Sequence, residues 1–316
     1  MTDLCNNPSR RDVLRTLAAS AGAVWLSPWR VTWAAQTGDA NTLRLLYYTD
    51  LHTRLEWDTP IALDRAAESM NAQKADLSIA GGDLITDGFQ SSANTVAPRW
   101  DAYMAMHRRI RPEAHPMIGN HDLVAADPDD GSPASDNPRH EFLDRFDLER
   151  TYRSFDAAGY HIILLDSIEV LGGDRRYRGY INAEQMEWVR EDLSSISRDT
   201  PIILGTHIPL LTNFTQATEG ATIANPFHRV VENNRDVLAV FGDHNLALVL
   251  QGHVHVDEFI RWRGTTFITG GAVCGRWWRG AWHGTNEGFG VITLRPGRID
   301  WEYIEYGWTA RRPAHV

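Results

Sequence analysis

Short apolar segments rich in β-forming residues alternate with longer segments of helical periodicity, and this alternation constrains the fold most. TLRLLYY (42–48) precedes a helical pattern at 61–73, and ADLSIA (75–80) precedes another at 97–110. A third apolar segment, HPMIG, occupies 115–119. Such short continuous apolar runs are typical of strands that are covered on both faces by helices. The sequence therefore predicts an α/β architecture with a largely internal sheet.

The second half of the chain repeats this pattern. YHIILLD (160–166), PIILGTH (201–207) and NLALVLQGH (245–253) are predicted strands. A helix is predicted over 182–196, because Asn182 is a favourable N-cap residue and Gln185 follows three positions later. No internal repeat or low-complexity tail is present, so one domain over 36–316 is the simplest interpretation.

Two stretches depart from the alternation. Residues 123–150 are rich in Asp, Pro and Ser, which predicts a surface loop that covers the site as a lid. In the C-terminal part, strand patterns alternate with tight turns over 258–271 and 288–306. We expect these to be antiparallel strands that complete a second sheet.

The N-terminal residues 1–35 have the composition of an export signal. Arg10 and Arg11 directly precede an apolar run from Leu17 to Leu26, which is too short to span a bilayer. The segment resembles a bacterial twin-arginine signal peptide, which implies passage through the twin-arginine translocase to the periplasm or the medium. The alternative is an amphipathic helix with two chance arginines. Because Cys5 precedes the arginines, we expect no lipoprotein anchor and no stable membrane anchor.

Charge and cysteine content exclude some partners and stabilising devices. The formal net charge of −10 argues against nucleic acid as the main partner. It does not exclude a small phosphate ester, because bound metal ions reverse the local field of an acidic protein. The only cysteines are Cys5 and Cys274, so no disulfide framework is expected.

Polar residues of metal-binding types stand where five of the predicted strands end. Each group alone is compatible with an ordinary polar turn. In open α/β sheets, however, functional residues gather at the carboxyl ends of the strands, so five such groups together indicate a metal site. In chain order these residues are Asp50, His52, Asp83, Asn120, His121, Asp122, His207, His253 and His255.

The order Asp-x-His, Gly-Asp, Gly-Asn-His-Asp, His and Gly-His-x-His resembles the signature of the calcineurin-like metallophosphoesterases over about residues 43–270. Within that superfamily, the pattern is most similar to class III cyclic-nucleotide and glycerophosphodiester phosphodiesterases. It departs from purple acid phosphatases, because no tyrosine follows Gly82-Asp83. The resemblance implies a four-layer αββα sandwich of two mixed β-sheets flanked by helices.

The resemblance also implies a ligand set for two divalent or trivalent metal ions, with Fe, Mn or Zn as the candidates. A hydroxide between the ions would attack the phosphorus atom. His121 would contact the phosphate or protonate the leaving group, and Asp122 would either orient His121 or cap the next turn. One ion would be bound by Asp50, His52, Asp83 and His255, and the other by Asp83, Asn120, His207 and His253.

Four further residues are candidates for substrate binding. Arg139 and His140 lie in the predicted lid, and Arg276 and Trp277 lie in the tryptophan-rich segment CGRWWRGAWHGTNEGFG (274–290). The alternative for the tryptophan-rich segment is packing against the second sheet. The expected function is that of an exported phosphodiesterase, with a phosphomonoesterase as the alternative and a non-catalytic metal-binding protein as a third possibility.

Overall fold

The computed structural model describes residues 42–173 and 176–311. The signal peptide expected at 1–35 lies outside the described residues, as does the start of the domain expected over 36–316. Within the described ranges, no helix has both the length and the apolar character needed to cross a membrane.

The helices agree with the sequence prediction to within a few residues. The helix over Ala183–Ser194 begins as predicted, because the Asn182 side chain accepts a hydrogen bond from the backbone N–H of Gln185 at 2.9 Å. A short 3₁₀ helix occupies Asn120–Asp122. The α-helices are α1 (Thr59–Ala72), α2 (Ala93–His107), α3 (His140–Phe146), α4 (Ala183–Ser194), α5 (Phe214–Thr218) and α6 (Asn234–Val240).

The first sheet has five strands in the order β13-β12-β1-β2-β3. Strands β1, β2 and β3 are parallel to one another, whereas β12 runs antiparallel to both of its neighbours, β1 and β13, so the sheet is mixed. Its strands are β1 (Leu43–Tyr48), β2 (Leu77–Ala80), β3 (Ala114–Pro116), β12 (Gly288–Arg295) and β13 (Arg298–Glu305).

The second sheet has six strands in the order β10-β11-β9-β8-β5-β4. Its four central strands are parallel, and the two edge strands run antiparallel to them. A separate ribbon pairs β6 (Ile168–Val170) with β7 (Tyr177–Gly179). The six strands are β4 (Arg153–Ala157), β5 (Tyr160–Leu165), β8 (Ile202–Thr206), β9 (Leu246–Gln251), β10 (Glu258–Trp262) and β11 (Thr265–Thr269).

The expectation that all the C-terminal strands complete the second sheet is wrong for the last two. Strands β10 and β11 join that sheet, but β12 pairs with β1 of the first sheet, with Leu45 opposite Ile292. A strand pattern shows which residues alternate but not which sheet edge receives them. The predicted lid is also more packed than expected, because Leu123, Val124 and Phe142 are buried in the core.

Apolar side chains on both faces of the sheets explain the continuous apolar runs. Successive side chains of a strand point to opposite faces. Leu45 and Tyr47 of β1 therefore lie in the layer between the two sheets, with Ile203 of β8. Leu46 and Tyr48 face the other way and belong to the core that includes helix residues such as Trp100. Two mixed sheets with helices packed on their outer faces confirm the predicted sandwich.

His161 links three elements of the second half of the chain. Its ring is almost fully buried and lies 2.7 Å from Asp156 of β4 and 2.8 Å from Asp192 of α4. Burial lowers the pKa of His161, but the two carboxylates outweigh burial and raise it above the usual range. This histidine stabilises the fold and lies apart from the strand ends described next.

Candidate metal centre

Loops that follow parallel strands of both sheets bring the predicted ligands to one edge of the sandwich. Asp50 and His52 follow β1, and Asp83 follows β2. Several of these loops turn sharply, because five of the seven predicted ligands have a left-handed backbone. The φ angles are 54° for Asp50, 42° for His52, 51° for Asp83, 73° for His253 and 59° for His255. Non-glycine residues in this region cost free energy and cluster at functional sites.

Two glycines permit the loops to touch. A Cβ atom on Gly119 would lie 2.2 Å from both the backbone nitrogen and Oδ1 of Asp83. A Cβ atom on Gly252 would lie 2.3 Å from Thr49 Oγ1 and 2.7 Å from Asp50 Oδ2. The glycines that precede Asn120 and His253 are therefore required by close approach to the neighbouring ligand.

The ligand atoms form two adjacent groups. In one, atoms of Asp83, His207 and His253 all lie within 4.8 Å of one another, and His207 Nε2 is 3.1 Å from Asp83 Oδ2. In the other, His255 Nε2 lies 3.1 Å from His52 Nε2 and 3.3 Å from Asp50 Oδ1. Asp83 joins the groups, because its Oδ2 is also 3.5 Å from His52 Nε2.

Outer hydrogen bonds orient two of the imidazoles. Nδ1 of His207 donates to the Gly81 carbonyl at 2.9 Å, and Nδ1 of His255 donates to the Gly275 carbonyl at 2.7 Å. In a neutral imidazole, a donor at Nδ1 leaves Nε2 as the free lone pair. Both Nε2 atoms face the carboxylates, which is the arrangement in which histidine binds a metal ion.

Unpartnered buried atoms test whether the residues fit a pair of metal ions. Among the residues that the structure describes, Asn120 Oδ1, His207 Nε2 and His253 Nδ1 are buried and have no hydrogen-bond partner. Such groups are costly unless something binds them. Oxygen and imidazole donors around a shared carboxylate suit Fe, Mn or Zn, so the residues fit two ions with Asp83 between them.

The electrostatics of the centre also favour a bound cation. Burial lowers the pKa of His207, but the buried Asp83 and Asp50 carboxylates outweigh it and raise that pKa to about 9. Without a bound metal ion, burial and the neighbouring His207 lower the pKa of His253 to about 3.

His121 lies beside these groups with the opposite tautomer. Its Nδ1 accepts a hydrogen bond from the backbone N–H of Asp87 at 3.2 Å, so the proton of the neutral ring is on Nε2. Its ring meets that of His52 edge-on at 4.6 Å, and its backbone N–H donates to Asp83 Oδ1 at 2.8 Å. A ring with its proton on Nε2 is suited to donate to a substrate oxygen.

Asp122 makes the contacts of a capping residue. Its buried carboxylate accepts hydrogen bonds from the backbone N–H groups of Gly119 at 2.8 Å, Leu84 at 2.7 Å and Ile85 at 3.2 Å. Burial and the charge of Asp83 raise the pKa of Asp122 to about 8, although the backbone donors oppose this shift. These contacts match the capping alternative, in which Asp122 holds two ligand loops together.

A cavity of about 230 Å³ opens above the centre. Trp277, predicted to contact substrate, lies on its wall. The floor is formed by predicted site residues, namely His52, Asp83, His121, His253 and His255. The remaining wall residues were not predicted from the sequence and are Tyr177, Phe214, His228, Arg229, Val254 and Trp282.

Three other substrate-binding candidates are not among the residues that line this cavity. The Arg139 guanidinium binds the buried Asp166 carboxylate at 2.5 Å, so it stabilises the fold. His140 is exposed and pairs with Asp144, one helical turn away, at 3.2 Å. Arg276 is exposed, with its guanidinium carbon 5.0 Å from the centre of the Trp282 ring. Their charge suggested phosphate binding, but the partner of Arg139 is 27 residues away in the chain and is not visible in the sequence.

Comparison with known proteins supports the interpretation of the site. The family model "Calcineurin-like phosphoesterase" matches residues 43–257. Purple acid phosphatase 15 of Arabidopsis thaliana is 26% identical over 270 residues, covering 80% of this chain and 46% of that protein. Purple acid phosphatase 22 of the same plant is 25% identical over 198 residues, covering 60% and 40%. The chain thus spans less than half the length of these relatives.

Two solved structures share the fold. The crystal structure of a dimetal phosphatase from Danio rerio gives a TM-score of 0.61 at 15% identity, covering 83% of this chain and 96% of that one. GAP50, described as the anchor in the inner membrane complex of Plasmodium, gives 0.54 at 14% identity, covering 84% and 85%. With the family model matched over most of the sandwich and every signature residue gathered at one edge, this chain belongs to the calcineurin-like phosphoesterase family.

Proposed function

We propose that this protein is an exported two-metal hydrolase of small phosphate esters that prefers phosphodiesters. The observation that carries the proposal is the arrangement around Asp83. Its carboxylate joins two groups of buried imidazoles and carboxylates, and His121, with its proton on Nε2, lies beside them at the floor of an open cavity.

The residues divide into ligands and a proton donor. When bound, the two metal ions supply activation of water at neutral pH and neutralisation of charge on the phosphate oxygens. Asn120 contributes an uncharged oxygen. His121 holds a proton at Nε2 and gives it to the leaving oxygen as the phosphorus–oxygen bond breaks. One ion would be held by Asp50, His52 and His255 and the other by Asn120, His207 and His253, with Asp83 shared.

The cavity wall supports the preference for diesters. Among the described residues that line it, Arg229 is the one arginine or lysine, and its Nη1 already binds Glu219 at 2.7 Å. The wall therefore offers little positive charge for the second negative charge of a monoester. It offers apolar and aromatic surface instead, which suits a second ester substituent.

A phosphomonoesterase is the second candidate. The named relatives are purple acid phosphatases, and a structural neighbour is a dimetal phosphatase. Against close functional similarity, Asp83 is followed by Leu84, Ile85 and Thr86, without the tyrosine of the purple acid phosphatase pattern. A non-catalytic metal-binding protein would have no use for a proton donor beside the ligands.

Hydrolysis of bis-p-nitrophenyl phosphate and of p-nitrophenyl phosphate tests these alternatives. We expect turnover only after loading with Mn, Fe, Co or Zn, and a higher kcat/KM for the diester. A large preference for the monoester would make the protein a phosphatase. Absence of turnover of both esters with every metal would refute the hydrolase proposal.

Export is tested separately. The proposal rests on Arg10 and Arg11 and on the apolar run that follows them. Replacement of both arginines by lysine should retain the protein in the cytoplasm of a bacterial host, as measured by cell fractionation. Unchanged periplasmic accumulation would refute a twin-arginine route.

A further inference from the structure

We propose that Trp277 and Trp282 form an aromatic corner that binds one planar substituent of the substrate, so that the enzyme selects esters carrying an aromatic ring or a base. This inference deepens the proposed function and rests on it. The following contacts of the tryptophan-rich segment carry the argument.

In the turn that follows the last candidate metal ligands, Trp278 lies in the core and its neighbour Trp277 lies on the cavity wall. Trp278 is buried, and its Nε1–H donates to the His52 carbonyl at 3.0 Å, which ties the turn to a ligand loop. Trp277 is only half-buried and lies over the ligands, with its ring 4.5 Å from that of His255. The packing role expected for this segment is thus filled by Trp278, which leaves Trp277 free to contact substrate.

The backbone of this turn is strained. Trp277 has φ of 47° and Trp278 has φ of 67°, a left-handed conformation that bulky residues rarely adopt. A Cβ atom on Gly275 would lie 2.6 Å from the Gly280 carbonyl oxygen, so the turn closes tightly on itself. Strain of this kind persists where the surrounding structure enforces it and is typical of functional sites.

The two indoles are arranged as perpendicular surfaces. The Trp277 and Trp282 rings have centroids 5.8 Å apart and planes 73° apart. A planar group placed in this corner can stack on one indole and meet the other edge-on, both of which are favourable aromatic geometries. Phe214 and Tyr177 also line the cavity, so the surfaces around the corner are largely aromatic.

The cavity has room for such an occupant. Its volume of about 230 Å³ is enough for a phosphate that carries one ring. The Arg229 guanidinium is paired with Glu219, and the Arg276 guanidinium carbon lies 5.0 Å from the centre of the Trp282 ring, so the aromatic surface of the corner, and not an absence of charge, selects a planar group. The substrate class is therefore a phosphate ester with an aromatic or heterocyclic substituent.

Binding of two phosphonates tests the inference without turnover. Phenylphosphonate and methylphosphonate share the anionic group and differ in the ring, and calorimetry of the metal-loaded protein gives the Kd of each. We expect phenylphosphonate to bind the unmodified protein about 5- to 30-fold more tightly, the range for one aromatic stack. In Trp277→Leu and in Trp282→Leu this ratio should fall to about 2 or less, whereas Trp277→Phe should largely retain it.

Elemental analysis and a distant tryptophan control for indirect effects. Trp277 contacts the His255 ring, so metal content is measured for each variant, and Trp282→Leu carries the test if Trp277→Leu loses metal. Trp262 is 56% exposed on edge strand β10, and Trp262→Leu should leave the ratio unchanged. A ratio of the two phosphonate Kd values near 1 in the unmodified protein would overturn the aromatic corner. An unchanged ratio in Trp282→Leu and in Trp277→Leu with its metal retained would do the same, even if both p-nitrophenyl esters are hydrolysed. Loss of all ester hydrolysis with the ratio intact would instead refute the hydrolase proposal.

Discussion

Replacement of His121 by alanine separates proton donation from metal binding. The hydrogen bond to Asp83 Oδ1 comes from the backbone N–H of His121, at 2.8 Å, and an alanine retains it. The substitution removes the hydrogen bond that His121 Nδ1 accepts from the Asp87 N–H. This bond is only partly buried, so a water molecule can take the place of the imidazole. His121→Ala should therefore keep its metal ions and the loop geometry.

The expected loss of activity follows from the proton at Nε2. Removal of a positioned proton donor lowers turnover by about 10²- to 10⁴-fold when the leaving group is basic. With p-nitrophenolate, which leaves without protonation, the loss should shrink to about 10-fold, the value of one hydrogen bond to a charged oxygen. The effect of the substitution should thus grow as the leaving group becomes more basic.

His253→Ala is the matched comparison. It removes a buried imidazole whose Nδ1 has no hydrogen-bond partner in the described structure, while the backbone N–H keeps its bonds to Asp50 at 3.0 and 3.1 Å. This variant should lose metal, as measured by elemental analysis of dialysed protein. For both variants, kcat is measured with a series of aryl and alkyl esters. Equal metal loss in the two variants, or a His121→Ala defect of the same size for every leaving group, would refute the assignment.

Three further outcomes follow from the fold and the site. Gly119→Ala should lower the free energy of unfolding by about 1–3 kcal/mol and reduce metal content, because its Cβ would lie 2.2 Å from Asp83. Gly242→Ala, with its nearest contact at 3.2 Å, should destabilise the protein less and leave the metal content unchanged. Asp122→Asn should destabilise the protein by about 1–3 kcal/mol, since the amide leaves a buried backbone donor unpaired; lost activity with an unchanged Tm would instead indicate a chemical role. The pKa of His161 is raised in the folded state, so its charged form stabilises the fold fully at pH values below the unfolded pKa, and this stabilisation disappears as pH rises through the folded pKa. The Tm deficit of His161→Gln should accordingly be larger at acidic than at alkaline pH, and a deficit independent of pH would contradict the ion pairs.

The capping of helix α4 and the ligand positions show what local patterns reveal. Asn182 and Gln185 form the expected cap because the hydrogen bond joins residues three apart. Asp50, Asp83 and His207 follow directly on buried strands, so a strand pattern and the next few residues suffice to place them at one edge. These features depend on short stretches of chain and are therefore predictable from them.

The role of Asp122 required the structure. From the sequence, this carboxylate either orients His121 or caps a turn. Its hydrogen bonds to Leu84 and Ile85 join two loops that are far apart in the chain, and only tertiary packing shows them. The tautomer of His121 was likewise decided by a backbone donor, Asp87, that no motif includes.

Arg139 and Trp282 show that the residues lining the substrate cavity could not be identified from the sequence alone. Arg139 has the charge of a phosphate ligand, but a buried carboxylate, Asp166, binds it elsewhere. Trp282 joins Phe214 and Tyr177 on the wall, although these residues belong to separate segments of the chain without a shared pattern. The sequence by itself thus predicted the α/β architecture and the candidate metal ligands, because the architecture follows from periodicity and the ligands from residue types next to strand ends. The tertiary structure decided the edge that β12 occupies, the hydrogen bonds that orient the site, and the cavity wall, because these arise from contacts between distant segments whose free energy no local pattern encodes.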